Sequence, residues 1–268
     1  MTKRTAIAVS DASEQHPETL LDHLLELKRR LTWAVGSVFV GFLVSYPFKA
    51  RIFDFLSQPL VQVMEKYPDS SMQITGPAES FVTFLKICLL SGLVLAIPVV
   101  LYQFWAFVAP GLYRSERRVF FPVLLLSIFL FLVGASFSFF LVFPLAFDFL
   151  LGMVPPELGG GVESNIRMGE YFSFSLTLLL AFGASFQVPI ICMALVRLGM
   201  VTVQGLRAKR RYVFAGAFIL AALITPPDVI SQVLLGFPVW LLYELGIILS
   251  TRIKTRSAED DEVEEGGS

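Results

Sequence analysis

The sequence is poor in charged side chains, which argues against an ordinary soluble domain. Asp, Glu, Lys and Arg make up 16% of its 268 residues, against about a quarter in soluble proteins. Hydrophobic residues make up 55%, and several uncharged runs reach the roughly 20 residues that a helix needs to cross a bilayer. Alternating segments of about ten residues, typical of an outer-membrane barrel, are absent. The composition therefore predicts an all-α polytopic membrane protein.

The sequence also lacks the residue clusters that enzymes use. Its only histidines, His16 and His23, lie near the N-terminus, so histidine catalysis within the membrane is excluded. Cys88 and Cys192 lie in separate apolar runs without a second ligand nearby, which indicates packing rather than a disulfide or a metal site. There is no glycine-rich phosphate loop and no intramembrane carboxylate pair, and Lys86 is the one candidate for a buried base. We expect no enzymatic activity, no metal and no cofactor.

The sequence divides into one membrane domain and two polar tails. Residues 1–16 are predicted to be disordered, and the apolar stretch within them is too short for a signal peptide. Residues 17–252 form the predicted membrane domain, and the acidic residues 253–268 are predicted to be a second disordered tail. The domain begins with an amphipathic helix at the membrane surface, continuous with the first span and indicated by the spacing of Leu20, Leu24, Leu27 and Leu31.

Six apolar runs are predicted to span the bilayer: residues 31–48, 80–107, 119–150, 169–198, 212–225 and 229–243. Residues 49–79 contain three prolines and short apolar patches, which predict short helices lying on the bilayer surface. The last two runs are shorter than the usual range of roughly 17 to 25 residues. They predict an antiparallel hairpin in a thin or shielded part of the bilayer, with Asp228 placed to cap its second helix.

Basic residues cluster on one side of the six predicted spans, within residues 28–30, 114–118, 207–211 and 252–256. The loops of the other side carry only scattered basic residues. By the positive-inside rule, both termini are predicted to lie in the cytoplasm.

Two carboxylates stand among the basic residues of this side. Glu26 precedes Arg30 by one helical turn, and Glu116 is flanked by Arg114 and Arg117. One interpretation is local ion pairs combined with a topology signal. The other is a docking site for a cationic peptide, whose arginines would bind the carboxylates in a bidentate manner. A topology signal has no need of the two acids, which favours the second interpretation for them.

Gln187 is a polar residue within the predicted fourth span. An interhelical hydrogen bond, worth about 0.6 kcal/mol on average, would explain it. A polar group at this depth is also a functional candidate, able to bond to a partner helix or a bound peptide, although an amide cannot titrate. Glu244, near the cytoplasmic end of the sixth span, is expected to reach the interface or to pair with Arg252.

Five motifs together resemble the TatC family, the multispanning subunit of the twin-arginine protein translocase. They are HLLELKRR at 23–30, FVAPGLYRSERR at 107–118, VFPLAF at 142–147, SFQVP at 185–189 and TPPDV at 225–229. The resemblance covers roughly residues 16–252 in the family's order. Two departures are Lys28, where the family commonly has Arg, and Gln187, where many members have Glu.

The resemblance implies a six-helix, glove-shaped fold with a concave face. It also implies a receptor for the twin-arginine signal peptides of folded proteins that are exported across the bacterial cytoplasmic (inner) membrane. Glu116 would contact the signal's arginine pair, and Glu26 would help to form the same site. The other residues implied at this site are Lys28, Arg30, Phe107, Pro110, Leu112, Tyr113, Arg117 and Arg118.

The resemblance further implies two single-span partners, TatA and TatB, which would pack near Thr225 against the last two spans. Pro59 would belong to an outer cap, and Pro226, Asp228 and Glu244 would have structural or partner-helix roles. Self-association in a larger complex is expected, the family draws on the proton gradient for energy, and no nucleic acid is implied.

Two other functions are compatible with a polytopic helical protein. A small-solute permease would need several polar groups at mid-depth, where Gln187 is nearly alone. A scaffold subunit of another membrane complex would need a cytoplasmic coupling segment for an ATPase, and the loops show no clear candidate. The residues therefore favour the translocase receptor over both.

Overall fold

The computed structural model describes residues 20–67, 70–108, 117–153, 164–225 and 229–252, so both predicted tails lie outside the described residues. The described chain is predominantly helical, as predicted. Its helices are α1 (Leu20–Ser45), α2 (Lys49–Met64), α3 (Pro77–Val108), α4 (Arg117–Phe137), α5 (Phe143–Gly152), α6 (Met168–Ser185), α7 (Val188–Arg197), α8 (Val203–Ala208), α9 (Arg210–Ile224) and α10 (Val229–Ser250). Its two strands are β1 (Ser70–Gln73) and β2 (Ser164–Arg167).

Within the described part of the chain, five helical segments are long and apolar enough to cross a membrane. They are residues 24–64, Pro77–Val108, Phe120–Gly152, Met168–Arg197 and Val229–Ser250. In chain order, α1, α3, α4–α5, α6–α7, α9 and α10 run in alternating directions. The N-terminal half of α1 therefore shares a side of the bundle with the end of α3, the start of α4 and residues 197–211. We call this side the basic face, and the side that holds α2, β1 and β2 the strand face.

Helix α1 is one uninterrupted helix of 26 residues, so no boundary separates the predicted surface helix from the first span. It crosses α3 at two glycines. A Cβ atom at Gly41 would collide with the backbone of Gly92, and a Cβ at Gly92 would collide with the backbone of Gly41 and Phe42. The two helices therefore touch backbone to backbone, as small residues allow in membrane bundles.

Two of the long spans are irregular next to a proline. Before Pro144, residues Ser138–Val142 form a π-helical segment that joins α4 to α5. In an α-helix the proline ring would clash with the carbonyl four residues earlier, and the wider turn avoids this clash. The predicted continuous fourth span is likewise divided into α6 and α7 by a turn at Phe186 and Gln187, just before Pro189.

The strand face differs most from the sequence-based prediction. Residues 49–79 form one 16-residue helix, α2, followed by β1, instead of several short helices lying on the bilayer. Helix α2 includes Pro59 and buries Leu56, Ser57, Pro59, Leu60 and Val63. Strand β1 pairs in parallel with β2, with Ser70 opposite Ser164. The patterns in either four-residue strand are too short to predict a partner more than 90 positions away.

Polar contacts tie the strand face to the long spans. The Tyr171 hydroxyl of α6 is buried and donates a hydrogen bond to the Leu56 carbonyl of α2 at 2.6 Å. The Glu79 carboxylate accepts hydrogen bonds from the backbone N–H groups of Thr75 and Gly169, both at 2.7 Å. Glu79 therefore joins the first turns of α3 and α6, whose N–H groups have no partner within the helix.

Helices α9 and α10 form the predicted antiparallel hairpin. Arg210 pairs with Glu244, the Phe214 ring packs edge-on against Trp240, and the Phe218 ring lies against Gly236. The prediction of a short sixth span was wrong, because α10 has 22 residues. The helix continues past Glu244, whose charge is paired with that of Arg210. Helix α9 has only 15 residues, about 22 Å at 1.5 Å per residue.

Candidate functional site

The first part of the predicted site lies on α1, where Glu26 and Arg30 are already paired. The Arg30 guanidinium donates two hydrogen bonds to Glu26, from Nε at 2.9 Å and from Nη2 at 2.6 Å. Both bonds end on Oε1, so this pair does not use the second carboxylate oxygen, Oε2. The Glu26 side chain is 33% exposed and the Arg30 side chain 19%. Lys28 is exposed on the same helix.

The second part of the predicted site joins α3 to α4. Pro110, Leu112, Tyr113 and Glu116 lie outside the described residues. Phe107 is half-buried in the last turn of α3, and Arg117 and Arg118 begin α4. Tyr102 and Phe120 stack edge to face near the two ends, with ring centroids 5.9 Å apart. The end of α3 and the start of α4, which residues 109–116 join in sequence, are therefore neighbours.

The α1–α3 crossing places both parts at about the same depth. Glu26 lies fifteen residues before Gly41, and Phe107 lies fifteen residues after Gly92. Because the helices run antiparallel and touch at these glycines, each residue is about 22 Å from the crossing point. Glu26 and Phe107 thus reach about the same level of the basic face.

Gln187 takes part in a buried polar cluster between three spans. Its side chain is 7% exposed, and its Nε2 donates to the Ser127 carbonyl of α4 at 2.9 Å. The Ser127 hydroxyl accepts a hydrogen bond from Trp105 Nε1 of α3 at 2.8 Å. Of the two roles considered from the sequence, the structure shows the interhelical hydrogen bond. Gln187 Oε1 is buried without a hydrogen-bond partner in the described structure.

Trp105 and Ser127 were not identified from the sequence. Both lie in apolar runs, where a single serine or tryptophan is common. The one available signal was that a buried indole N–H needs an acceptor. Finding that acceptor on another helix required the tertiary structure.

Replacing Trp105 by phenylalanine is expected to lower the free energy of unfolding by about 1–3 kcal/mol, because the Ser127 hydroxyl loses its partner and the smaller ring leaves a void. Thermal unfolding of the purified full chain in detergent measures this loss. Trp33→Phe is the matched control, since Trp33 is 66% exposed and Trp105 only 1%. Equal unfolding temperatures for the two variants would contradict the prediction.

The remaining predicted residues lie apart from the basic-face site. Thr225 is buried at the end of α9 and bonds to its own helix, through Oγ1 to the Ala221 carbonyl at 2.9 Å. Pro226 and Asp228 lie outside the described residues. Glu244 was expected to pair with Arg252 if it did not simply reach the interface. It pairs instead with Arg210 of α9 at 2.7 Å, because the antiparallel hairpin places the two side chains at the same level.

Comparison with known protein families gives a match over most of the chain. The model of the TatC family, described as Sec-independent protein translocase protein (TatC), matches residues 22–238. The TatC protein of Desulforapulum autotrophicum is 42% identical over 251 residues, which cover 94% of this chain and 90% of that protein. The TatC protein of Escherichia coli is 41% identical over 238 residues, covering 89% and 90%. That of Aquifex aeolicus is 38% identical over 241 residues, covering 90% and 98%.

Solved structures give the same result for the fold. A crystal structure of a twin-arginine translocase receptor, TatC, is similar with a TM-score of 0.76 at 38% identity. The similarity covers 85% of this chain and 98% of that chain. A second crystal structure of such a receptor, in DDM, has a TM-score of 0.77. The all-α fold predicted from the motifs is therefore confirmed.

Proposed function

This chain belongs to the TatC family of Sec-independent protein translocase proteins, and from that membership we propose that its basic face is the docking surface for twin-arginine signal peptides. The family resemblance seen in the sequence is confirmed. As a TatC protein, the chain is a multi-pass membrane subunit of a protein translocase and a transport component.

The observation that supports this surface is the partly exposed ion pair between Glu26 and Arg30. Arg30 demonstrates that a guanidinium fits this carboxylate, with two hydrogen bonds to a single oxygen. An incoming arginine of the signal can approach the second oxygen, Oε2, or replace Arg30. Charge-assisted bonds of this kind are about twice as strong as neutral ones. In this proposal, Oε2 of Glu26 is the acceptor for the signal's arginine.

Glu116 supplies the second carboxylate in this proposal. It lies in the segment that follows α3, and Phe107 in the last turn of α3 lies at about the same depth as Glu26. Two carboxylates at one level suit two adjacent arginines, whereas lysine lacks the planar fork for bidentate contacts. Phe107, Pro110, Leu112 and Tyr113 shape the loop.

Arg117 and Arg118 add positive charge to the start of α4, and Lys28 adds positive charge to α1. These cations discourage arginines from binding anywhere except beside the two acids. The apolar part of the signal then enters the concave face toward Gln187. Because Gln187 is bonded to Ser127, contact with the signal requires α4 and α7 to separate there.

The α9–α10 hairpin is the proposed docking site for the single-span TatA and TatB subunits. Leu223 near the end of α9 is 78% exposed, and Val229 at the start of α10 is 75% exposed. Pro59 lies in α2, which would form the outer cap. In this assembly several copies of the chain associate through the same partners.

The basic face is assigned to the cytoplasm and both termini with it, in the inner membrane of a bacterium. Arg207, Lys209, Arg210 and Arg211 are all exposed at this face, as the positive-inside rule expects. Helix α9 then serves as the fifth of six spans, although its length of about 22 Å requires a locally thin bilayer.

Photo-crosslinking of a twin-arginine signal peptide to residues 107–118 tests the docking surface. We expect the Glu116→Ala variant to be labelled at least about tenfold less than the wild-type chain. A twin-lysine signal should likewise label the wild-type chain at least about tenfold less than the twin-arginine signal. Glu65→Ala is the control, because Glu65 is an exposed acid at the strand face. The assignment of this surface fails if neither the twin-lysine peptide nor the Glu116→Ala substitution lowers labelling relative to the twin-arginine peptide with the wild-type chain.

A further inference from the structure

A pocket opens between the two helices of the hairpin, near the basic face. Its volume is about 580 Å³, and it is lined by Arg210, Arg211, Phe214, Trp240 and Glu244. We call it the hairpin pocket. It lies on α9 and α10, apart from the α1 and α3–α4 elements of the signal site, so its ligand is independent of the proposed docking surface.

The hairpin pocket is lined by two basic side chains and one acidic side chain. Glu244, 18% exposed, is bonded to Arg210 at 2.7 Å and neutralises it. Among the residues that line the pocket, no second acid is present to neutralise Arg211. The Arg211 guanidinium lies 4.8 Å from the ring centroid of Tyr212, and its Nη2 donates to the Tyr212 hydroxyl at 3.0 Å. Lys209 is exposed as well. The pocket therefore carries a net positive charge.

The other wall of the pocket is aromatic. Trp240 packs edge to face against Phe214, with ring centroids 5.8 Å apart, and also contacts Phe237 at 5.8 Å. Phe214, Phe237 and Leu241 are 44%, 46% and 46% exposed. The aromatic wall thus continues into an apolar surface that faces the lipid. Trp240 lies one helical turn before Glu244, whose partner Arg210 begins α9 at the basic face. Tryptophan is enriched at the headgroup level of a bilayer.

We propose that the hairpin pocket binds the headgroup of an anionic phospholipid from the leaflet at the basic face. Arg211 would contact the phosphate, with Lys209 nearby, and the glycerol and upper acyl carbons would lie on Trp240 and Phe214. Basic pockets between membrane helices on the cytoplasmic side are typical binding sites for anionic headgroups. The apolar wall distinguishes this ligand from a free anion, since a soluble phosphate gains nothing from Trp240.

Quenching by brominated lipids tests the proposal directly. The full chain is placed in phosphatidylcholine vesicles that contain either brominated phosphatidylglycerol or brominated phosphatidylcholine. The quenching that disappears in the Trp240→Phe variant belongs to Trp240, one of three tryptophans in the chain. The half-quenching concentration is the lipid concentration that removes half of the Trp240 fluorescence. We expect it to be at least about fivefold lower for brominated phosphatidylglycerol than for brominated phosphatidylcholine.

Charge variants then identify the residues responsible. Arg211→Gln should raise the half-quenching concentration about fivefold, and Arg51→Gln, at an exposed arginine of the strand face, should leave it unchanged. Glu244→Gln should lower the half-quenching concentration about fivefold, because Arg210 is then free to bind the headgroup. A purely structural role for Glu244 predicts no such decrease. Equal quenching by both brominated lipids, or equal values for Arg211→Gln and Arg51→Gln, would overturn the proposal. So would displacement by inorganic phosphate or by an acidic peptide, which would indicate a simple anion site or a protein partner.

Discussion

Replacing Gly92 by alanine is expected to lower the free energy of unfolding by about 3 kcal/mol, the upper end of the usual range for overpacking. The new methyl group would collide with the backbone of Gly41 and Phe42. A side chain can rotate away from such a collision, but backbone cannot, so α1 and α3 must move apart. Titration of the purified chain with a denaturing detergent, followed by circular dichroism, measures the loss.

Gly36→Ala is the matched control for this variant. Gly36 lies on α1 as well, but a Cβ atom at Gly36 would have no neighbouring atom within 4 Å outside its own stretch of helix. This substitution should leave stability unchanged or raise it by up to about 1 kcal/mol, because alanine favours the helix. Gly41→Ala should lower the free energy of unfolding about as much as Gly92→Ala does. The double variant should lose less than the sum of the two single losses, since both methyl groups force the same separation of α1 and α3. A Gly92→Ala protein as stable as Gly36→Ala would show that the helices do not touch there.

Glu26→Ala is expected to weaken binding of a twin-arginine signal peptide by roughly ten- to 150-fold. This range corresponds to about 1.5–3 kcal/mol, the contribution of a hydrogen bond to a charged group. The measurement is the Kd of a labelled signal peptide for the full chain in detergent. Glu65→Ala, which removes an exposed acid of the strand face, should leave the Kd unchanged.

Exchanging the two residues separates binding from helix stability. The double variant Glu26→Arg with Arg30→Glu restores an ion pair at the same spacing on α1, so stability should change by no more than about 0.5 kcal/mol. It moves the carboxylate by one helical turn, so we expect the Kd to stay as weak as in Glu26→Ala. Recovery of wild-type affinity in the exchanged variant would mean that Glu26 acts only through the α1 ion pair.

The candidate site was predictable to the extent that its residues are neighbours in the chain. Glu26 and Arg30 stand one helical turn apart, and their ion pair follows from that spacing. The partners of Gln187 and Glu244 did not follow from spacing. Ser127 lies 60 positions from Gln187, and Arg210 lies 34 positions before Glu244 on the facing helix of the hairpin. Contacts of this kind depend on how the helices pack, and the expectation that Glu244 pairs with Arg252 considered only its own helix.

By itself, the sequence determined that this is an all-α membrane protein with most of its basic residues clustered in the segments of one side. Those properties depend on the hydrophobicity of continuous runs and on the cost of moving charge into lipid, which act locally along the chain. Its motifs also determined the TatC family. Only the tertiary structure decided the backbone contact of Gly41 with Gly92, the parallel pairing of β1 with β2 and the polar cluster at Trp105. Each of these joins segments far apart in sequence, and its energy exists only once the helices are packed.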